Sequence, residues 1–79
     1  MFTIKVSLNT IEKVKGFVNI MSNQIFDADL ASGRYVIDAK SIMGIFSLDL
    51  SKPIDLNIHT EDGTAFATFK EEIKKYIVE

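Results

Sequence analysis

Apolar and polar residues alternate from the start of the chain. Phe2, Ile4, Val6 and Leu8 interleave with Thr3, Lys5 and Ser7, and a period of two puts the apolar side chains on one face of a strand. Asn9 or Thr10 punctuates the chain, and the period then lengthens. Ile11, Val14, Val18, Met21 and Ile25 recur at the spacing of one helix face. Asn9 and Glu12 stand in the N-x-x-E relation of a capping box, which predicts a helix beginning there. Gly16 lies inside that helix and weakens it by about 1 kcal/mol relative to alanine; close packing or access to the helix start would explain it.

Phe26–Ala31 and Arg34–Asp38 are two short β-prone runs separated by Ser32-Gly33, the composition of a tight hairpin. Ser41 is a good N-cap residue, and the run from Ser41 to Leu48 is long enough for two turns of helix. Pro53 ends that connection. Ile54, Leu56 and Ile58 alternate with Asp55, Asn57 and His59 as a fourth strand, and Glu61-Asp62-Gly63 forms a turn. Phe66, Phe69, Ile73 and Tyr76 or Ile77 mark the apolar face of a closing helix, with Lys74 and Lys75 near its C-terminus, where they suit the dipole. The order β-α-β-β-α-β-α predicts a two-layer α+β fold. Its helices would cover one face of a four-stranded antiparallel sheet, and the other face would carry Lys5, Asp55, Asn57 and His59 into water.

Composition narrows what such a fold does. Its 79 residues allow one domain, spanning 1–79. A domain this small buries only about 60% of its unfolded surface, which leaves little room for a deep enzyme pocket. With 47% apolar and 25% charged residues the chain is globular rather than disordered. No apolar run approaches membrane-spanning length, and the N-terminus lacks the features of a signal peptide. Together with the absence of cysteine, this leads to an expected cytoplasmic location. Nine basic and eleven acidic residues give a net charge of −2, which argues against nucleic acid as a partner. His59, the only histidine, has no second ligand beside it, so no metal site is expected and it reads as a solvent-facing strand residue. Asp27 and Asp29 share one side of a strand and read as solvated. A phosphate-cradling glycine loop, a Ser-His-Asp set and an HExxH motif are all missing. No cofactor is implied.

One segment carries a specific likeness. Lys40-Ser41-Ile42-Met43-Gly44-Ile45-Phe46-Ser47-Leu48 resembles the regulatory-serine signature of HPr, the histidine-containing phosphocarrier protein of the sugar phosphotransferase system. Gram-positive members typically read K-S-I-M-G, then an apolar pair and S-L. Element order and length agree with the family along the whole chain. The resemblance implies an open-faced β-sandwich of β-α-β-β-α-β-α topology.

The chain departs from the family where the phosphoryl group is carried. The family has a histidine at the start of the first helix, in a G-x-H-A-R-P motif. The matching segment here is Asn9-Thr10-Ile11-Glu12-Lys13-Val14-Lys15-Gly16. Counting back from Phe26-Asp27-Ala28-Asp29, the histidine position falls on Glu12, the arginine position on Val14 and the proline position on Lys15. Glu12 reads first as a capping residue, although carboxylates do accept phosphoryl groups in other systems.

The other residues of interest lie around Ser41. As an N-cap, Ser41 contributes about 1 kcal/mol. The resemblance implies that it is also the target of an ATP-dependent HPr kinase, although Gram-negative relatives keep the serine without that use. Ile42, Met43 and Phe46 match an exposed docking patch of the family; without the family they would read equally well as core of a short helix. Phe46 stands where the family often has an aliphatic residue. Lys13, Lys15 and Lys40 are expected to form a small basic patch around the vacated histidine position.

The resemblance thus implies a non-enzymatic protein related to the phosphotransferase system, and the departure at Glu12 implies that it lacks phosphohistidine chemistry. It would act through Ser41 and the adjacent apolar helix. The alternatives are a phosphocarrier with a non-histidine acceptor and a structural domain without phosphorylation. Implied partners are phosphotransferase-system proteins and HPr kinase or a transcriptional regulator, with neither nucleic acid nor membrane, and a monomer is expected.

Overall fold

The computed structural model describes residues 1–78. Strands β1 (Phe2–Val6), β2 (Asp27–Ser32), β3 (Tyr35–Asp38) and β4 (Ile54–His59) form one sheet in the order β1-β4-β2-β3, with every neighbouring pair antiparallel. Helices α1 (Ile11–Ser22), α2 (Ile42–Phe46) and α3 (Gly63–Glu72) complete the expected β-α-β-β-α-β-α order. The alternation holds in β4, where Ile54, Leu56 and Ile58 are buried. These residues, with Val6, Leu8, Ala28 and Leu30 from the sheet side, meet Val14, Phe17, Met21, Ile45, Phe69, Ile73 and Tyr76 in one core.

Several local expectations need correction. The capping box is not formed: Thr10 caps α1, and its hydroxyl accepts the Lys13 N–H at 3.1 Å. Glu12 therefore lies within the first turn rather than at the third position after the cap. The buried face of α1 is Val14, Phe17 and Met21. Ile11 and Ile25 fit the spacing but are exposed, Ile25 completely, because Ile25 follows the helix end and Ile11 precedes the first buried turn. In the hairpin, Ser32 pairs with Tyr35, so the two loop residues are Gly33 and Arg34. Gly33 has φ +58 and Arg34 does not share the positive φ, the pattern of a type II′ turn. The middle helix is 5 residues long, shorter than two full turns. The closing helix stops at Glu72, and Lys74 and Lys75 fall in a following 3₁₀ turn, Lys74–Tyr76.

Close packing accounts for Gly16. A Cβ there would collide with the Tyr76 hydroxyl, and Tyr76 is itself fixed edge-on to Phe17, with ring centroids 6.2 Å apart. Beyond the 3₁₀ turn the chain runs back along β1. Ser7 N–H donates to the Tyr76 carbonyl at 2.7 Å, Val78 N–H donates to the Lys5 carbonyl at 3.0 Å, and Val6 bridges Ile77.

Candidate functional site

Extended backbone at Ser41 (φ −96, ψ 99) turns the chain from β3 into α2, and its Oγ accepts the Gly44 N–H at 3.2 Å. Its own N–H donates to the Asp38 carbonyl at 3.0 Å. The hydroxyl thus sits at the mouth of the helix on an exposed residue. Gly44 lets α2 lie close on β3, since a Cβ there would come within 2.5 Å of the Ile37 side chain. That approach divides the helix. Ile45 is buried and Ile42 half-buried, whereas Met43 is 78% and Phe46 40% exposed. Met43 and Phe46 present apolar surface beside Ser41, and Ile42 serves mainly the core.

The start of α1 is arranged differently. Glu12 is exposed and lines a shallow hollow of about 190 Å³ with Lys13, Lys75 and Tyr76. Lys13 Nζ donates to Asn9 Oδ1 at 3.0 Å. The expected basic patch of Lys13, Lys15 and Lys40 does not assemble. Lys40 Nζ donates to the Gln24 carbonyl at 3.2 Å and stands 3.9 Å from Asp27. Gln24 lies beyond the far end of α1, and a helix of this length separates its two ends by roughly 16 Å.

The uncovered sheet face holds a ladder that the sequence did not disclose. Lys5 pairs with Asp55 at 2.8 Å. Thr3 Oγ1 donates to Asn57 Oδ1 at 2.8 Å, Asn57 Nδ2 donates to Asp29 Oδ1 at 2.8 Å, and His59 Nε2 meets Asp29 Oδ2 at 2.5 Å. Burial pushes the Asp29 carboxyl up, but hydrogen bonds from His59 and Asn57 and the charge of His59 outweigh it. Its pKa falls below the ordinary value of 3.8. Asp29 is therefore a bonded hub rather than a solvated carboxylate, whereas Asp27 is exposed as expected. Finding the ladder requires knowing that β4 lies between β1 and β2. Among the described residues no group of histidine, cysteine, aspartate or glutamate converges as a metal site, and no helix is long and apolar enough to cross a membrane.

No protein-family model matches the sequence, and no curated protein matches it. Solved structures do. The structure described as HPr-C-His from Thermoanaerobacter tengcongensis superposes with a TM-score of 0.74 at 20% identity, over 95% of this chain and 93% of that one. A phosphocarrier protein HPr from Bacillus anthracis str. Ames superposes with a TM-score of 0.68 at 23% identity, over 90% of this chain and 92% of that one. The fold is thus an α+β open-faced sheet covered by helices. More particularly, it is the HPr fold over nearly the whole chain.

Proposed function

We propose that residues 1–79 form a single HPr-like unit related to the phosphotransferase system, acting in the cytoplasm as a binding or regulatory protein rather than as a phosphohistidine carrier or an enzyme. The observation that carries this reading is the pairing of an exposed Ser41 at the opening of α2 with the exposed apolar side chains of Met43 and Phe46. A flexible methionine beside an aromatic ring suits a surface that docks larger partners. A phosphoryl group on Ser41 would add about −1.5 to −2 charge beside that patch, so modification and docking would be coupled by proximity. The partners of this reading are phosphotransferase-system proteins and HPr kinase or a transcriptional regulator.

Loss of phosphocarrier chemistry is supported by placement. The only imidazole is on β4, bound to Asp29 on the uncovered sheet face. Glu12 occupies the first turn of α1, where its charge complements the helix dipole.

Two incubations test the proposal. With enzyme I and labelled phosphoenolpyruvate, no acid-labile label is expected on the protein; its appearance would overturn the non-carrier reading. With HPr kinase and ATP, label is expected on the protein and absent from Ser41→Ala. Unlabelled wild-type protein, or label that survives the substitution, would remove the regulatory role of Ser41.

A further inference from the structure

Among the described residues no strand pairs with the outer edge of β3, and the residues of that edge complement themselves. In a hairpin closed by Ser32 and Tyr35, the residues that exchange backbone hydrogen bonds with β2 alternate along the strand. Tyr35 and Ile37 face β2, and Val36 turns its N–H and C=O outward. The side chains on either side of that edge are apolar and uncovered: Tyr35 is 67% and Val36 65% exposed, and they point to opposite faces of the sheet. The edge ends at Asp38, whose carbonyl accepts from Ser41 N–H.

We propose that β3 pairs antiparallel with β3 of a second copy of this chain, about a two-fold axis at Val36. Hydrogen-bond parity selects that register. An outward-facing residue must oppose another outward-facing residue, which excludes Val36 opposite Ile37. With Val36 opposite Val36, the two copies exchange two backbone hydrogen bonds at the axis. Tyr35 then lies opposite Ile37 of the second copy, an apolar pair repeated by symmetry. Arg34 lies opposite Asp38, so each end of the ribbon joins opposite charges. A register shifted by two residues either way breaks the Arg34–Asp38 match. Among the described residues the charges flanking the axis are Arg34, in the hairpin loop just before β3, and Asp38, at the end of β3, whose carboxylate also accepts the Lys40 N–H at 2.9 Å. On the neighbouring β2 they are Asp27 and Asp29, with Asp29 already engaged by His59. The contact is short, 4 residues of strand, so it is a weak, concentration-dependent dimer and not an obligate one. The sequence reading of a monomer then describes the dilute protein.

The test is sedimentation equilibrium of the full chain from micromolar to millimolar concentration, with amide exchange read residue by residue. Wild-type protein is expected to dimerise with rising concentration, with protection growing at Val36 N–H. Arg34→Asp sets like charges at both ends and is expected to weaken the dimer by roughly tenfold. Asp38→Arg does the same with the opposite sign. An equimolar mixture of the two variants restores complementary charges at both ends and is expected to associate as the wild type does. Both substitutions lie on exposed residues, and circular dichroism confirms that each variant is folded. Three results would overturn the proposal: no association at millimolar concentration, association with protection elsewhere than at β3, or a mixture no tighter than its components. An extended peptide that binds β3 while the chain stays monomeric would replace the second copy as occupant and would also overturn it.

Discussion

Gly16→Ala sets two effects of known sign against each other. In the interior of an exposed helix the change is expected to stabilise by about 1 kcal/mol, because glycine loses the most backbone freedom on folding. In α1 the new methyl would land on the Tyr76 hydroxyl, while the next atom of that ring, Cζ, lies at an ordinary 3.4 Å. A phenol has no flexible end, so the hydroxyl moves only with the ring. That ring is 3% exposed and packs edge-on against Phe17, and the Tyr76 carbonyl is tied to Ser7 N–H. Forcing an added methyl into such packing costs about 1–3 kcal/mol. The net change in the wild-type background therefore lies between neutral and a loss of about 2 kcal/mol. In a Tyr76→Phe background the obstruction is gone, and Gly16→Ala should gain about 1 kcal/mol. Urea denaturation of the four proteins of this double-mutant cycle measures the difference. For a domain of this size 1 kcal/mol corresponds to about 4–8 °C in Tm, so thermal unfolding provides a second reading. If Gly16→Ala changes stability equally in both backgrounds, within about 0.5 kcal/mol, the contact with Tyr76 is not the reason for this glycine.

Three further outcomes follow from the caps and the sheet face. Thr10→Ala should cost about 1 kcal/mol and Asn9→Ala much less, because the Thr10 hydroxyl holds the Lys13 N–H; equal losses in chemical denaturation would restore Asn9 as the cap. Ser41→Ala should likewise cost about 1 kcal/mol, through loss of the bond to Gly44 N–H, with no change in stability on denaturation taken as evidence against that bond. Asp29 has a folded pKa depressed below 3.8, so its ionised form stabilises the fold above the unfolded pKa, and that contribution is lost as pH falls through the folded value. The stability gap between wild type and Asp29→Asn should accordingly close as pH falls below about 4; a gap that widens in acid would contradict the assigned bonds.

Much of the architecture was legible in the sequence because two of its strands are buried on one side only. Phe2 to Leu8 and Ile54 to His59 alternate cleanly, and Phe2–Val6 and Ile54–His59 became strands. The helices were harder to place in detail. Ile11 and Ile25 have the right spacing for α1, but spacing does not say where a helix begins and ends, and Phe17 took the buried place. Ser41 was recognisable as a cap because its role is local. The division of α2 into exposed Met43 and Phe46 and inward Ile42 and Ile45 depends on how Gly44 rests over Ile37, which is tertiary information. The Asp29 ladder and the dispersal of the three lysines were invisible for the same reason. Each depends on which strand lies beside which, or on how far apart the ends of α1 stand.

The position of β4 also has a consequence for how the chain assembles. It pairs with both β1 and β2, joining Phe2 to Ile58 and Ala28 to the same Ile58. The β2–β3 hairpin closes locally, through Ser32 and Tyr35, but β1 has no strand neighbour until Ile54–His59 has been made. During synthesis β1 must therefore wait, unpaired, until Ile54–His59 has left the ribosome. Pairings of such long sequence separation are slow to form, and β4 is the element on which completion of the sheet depends.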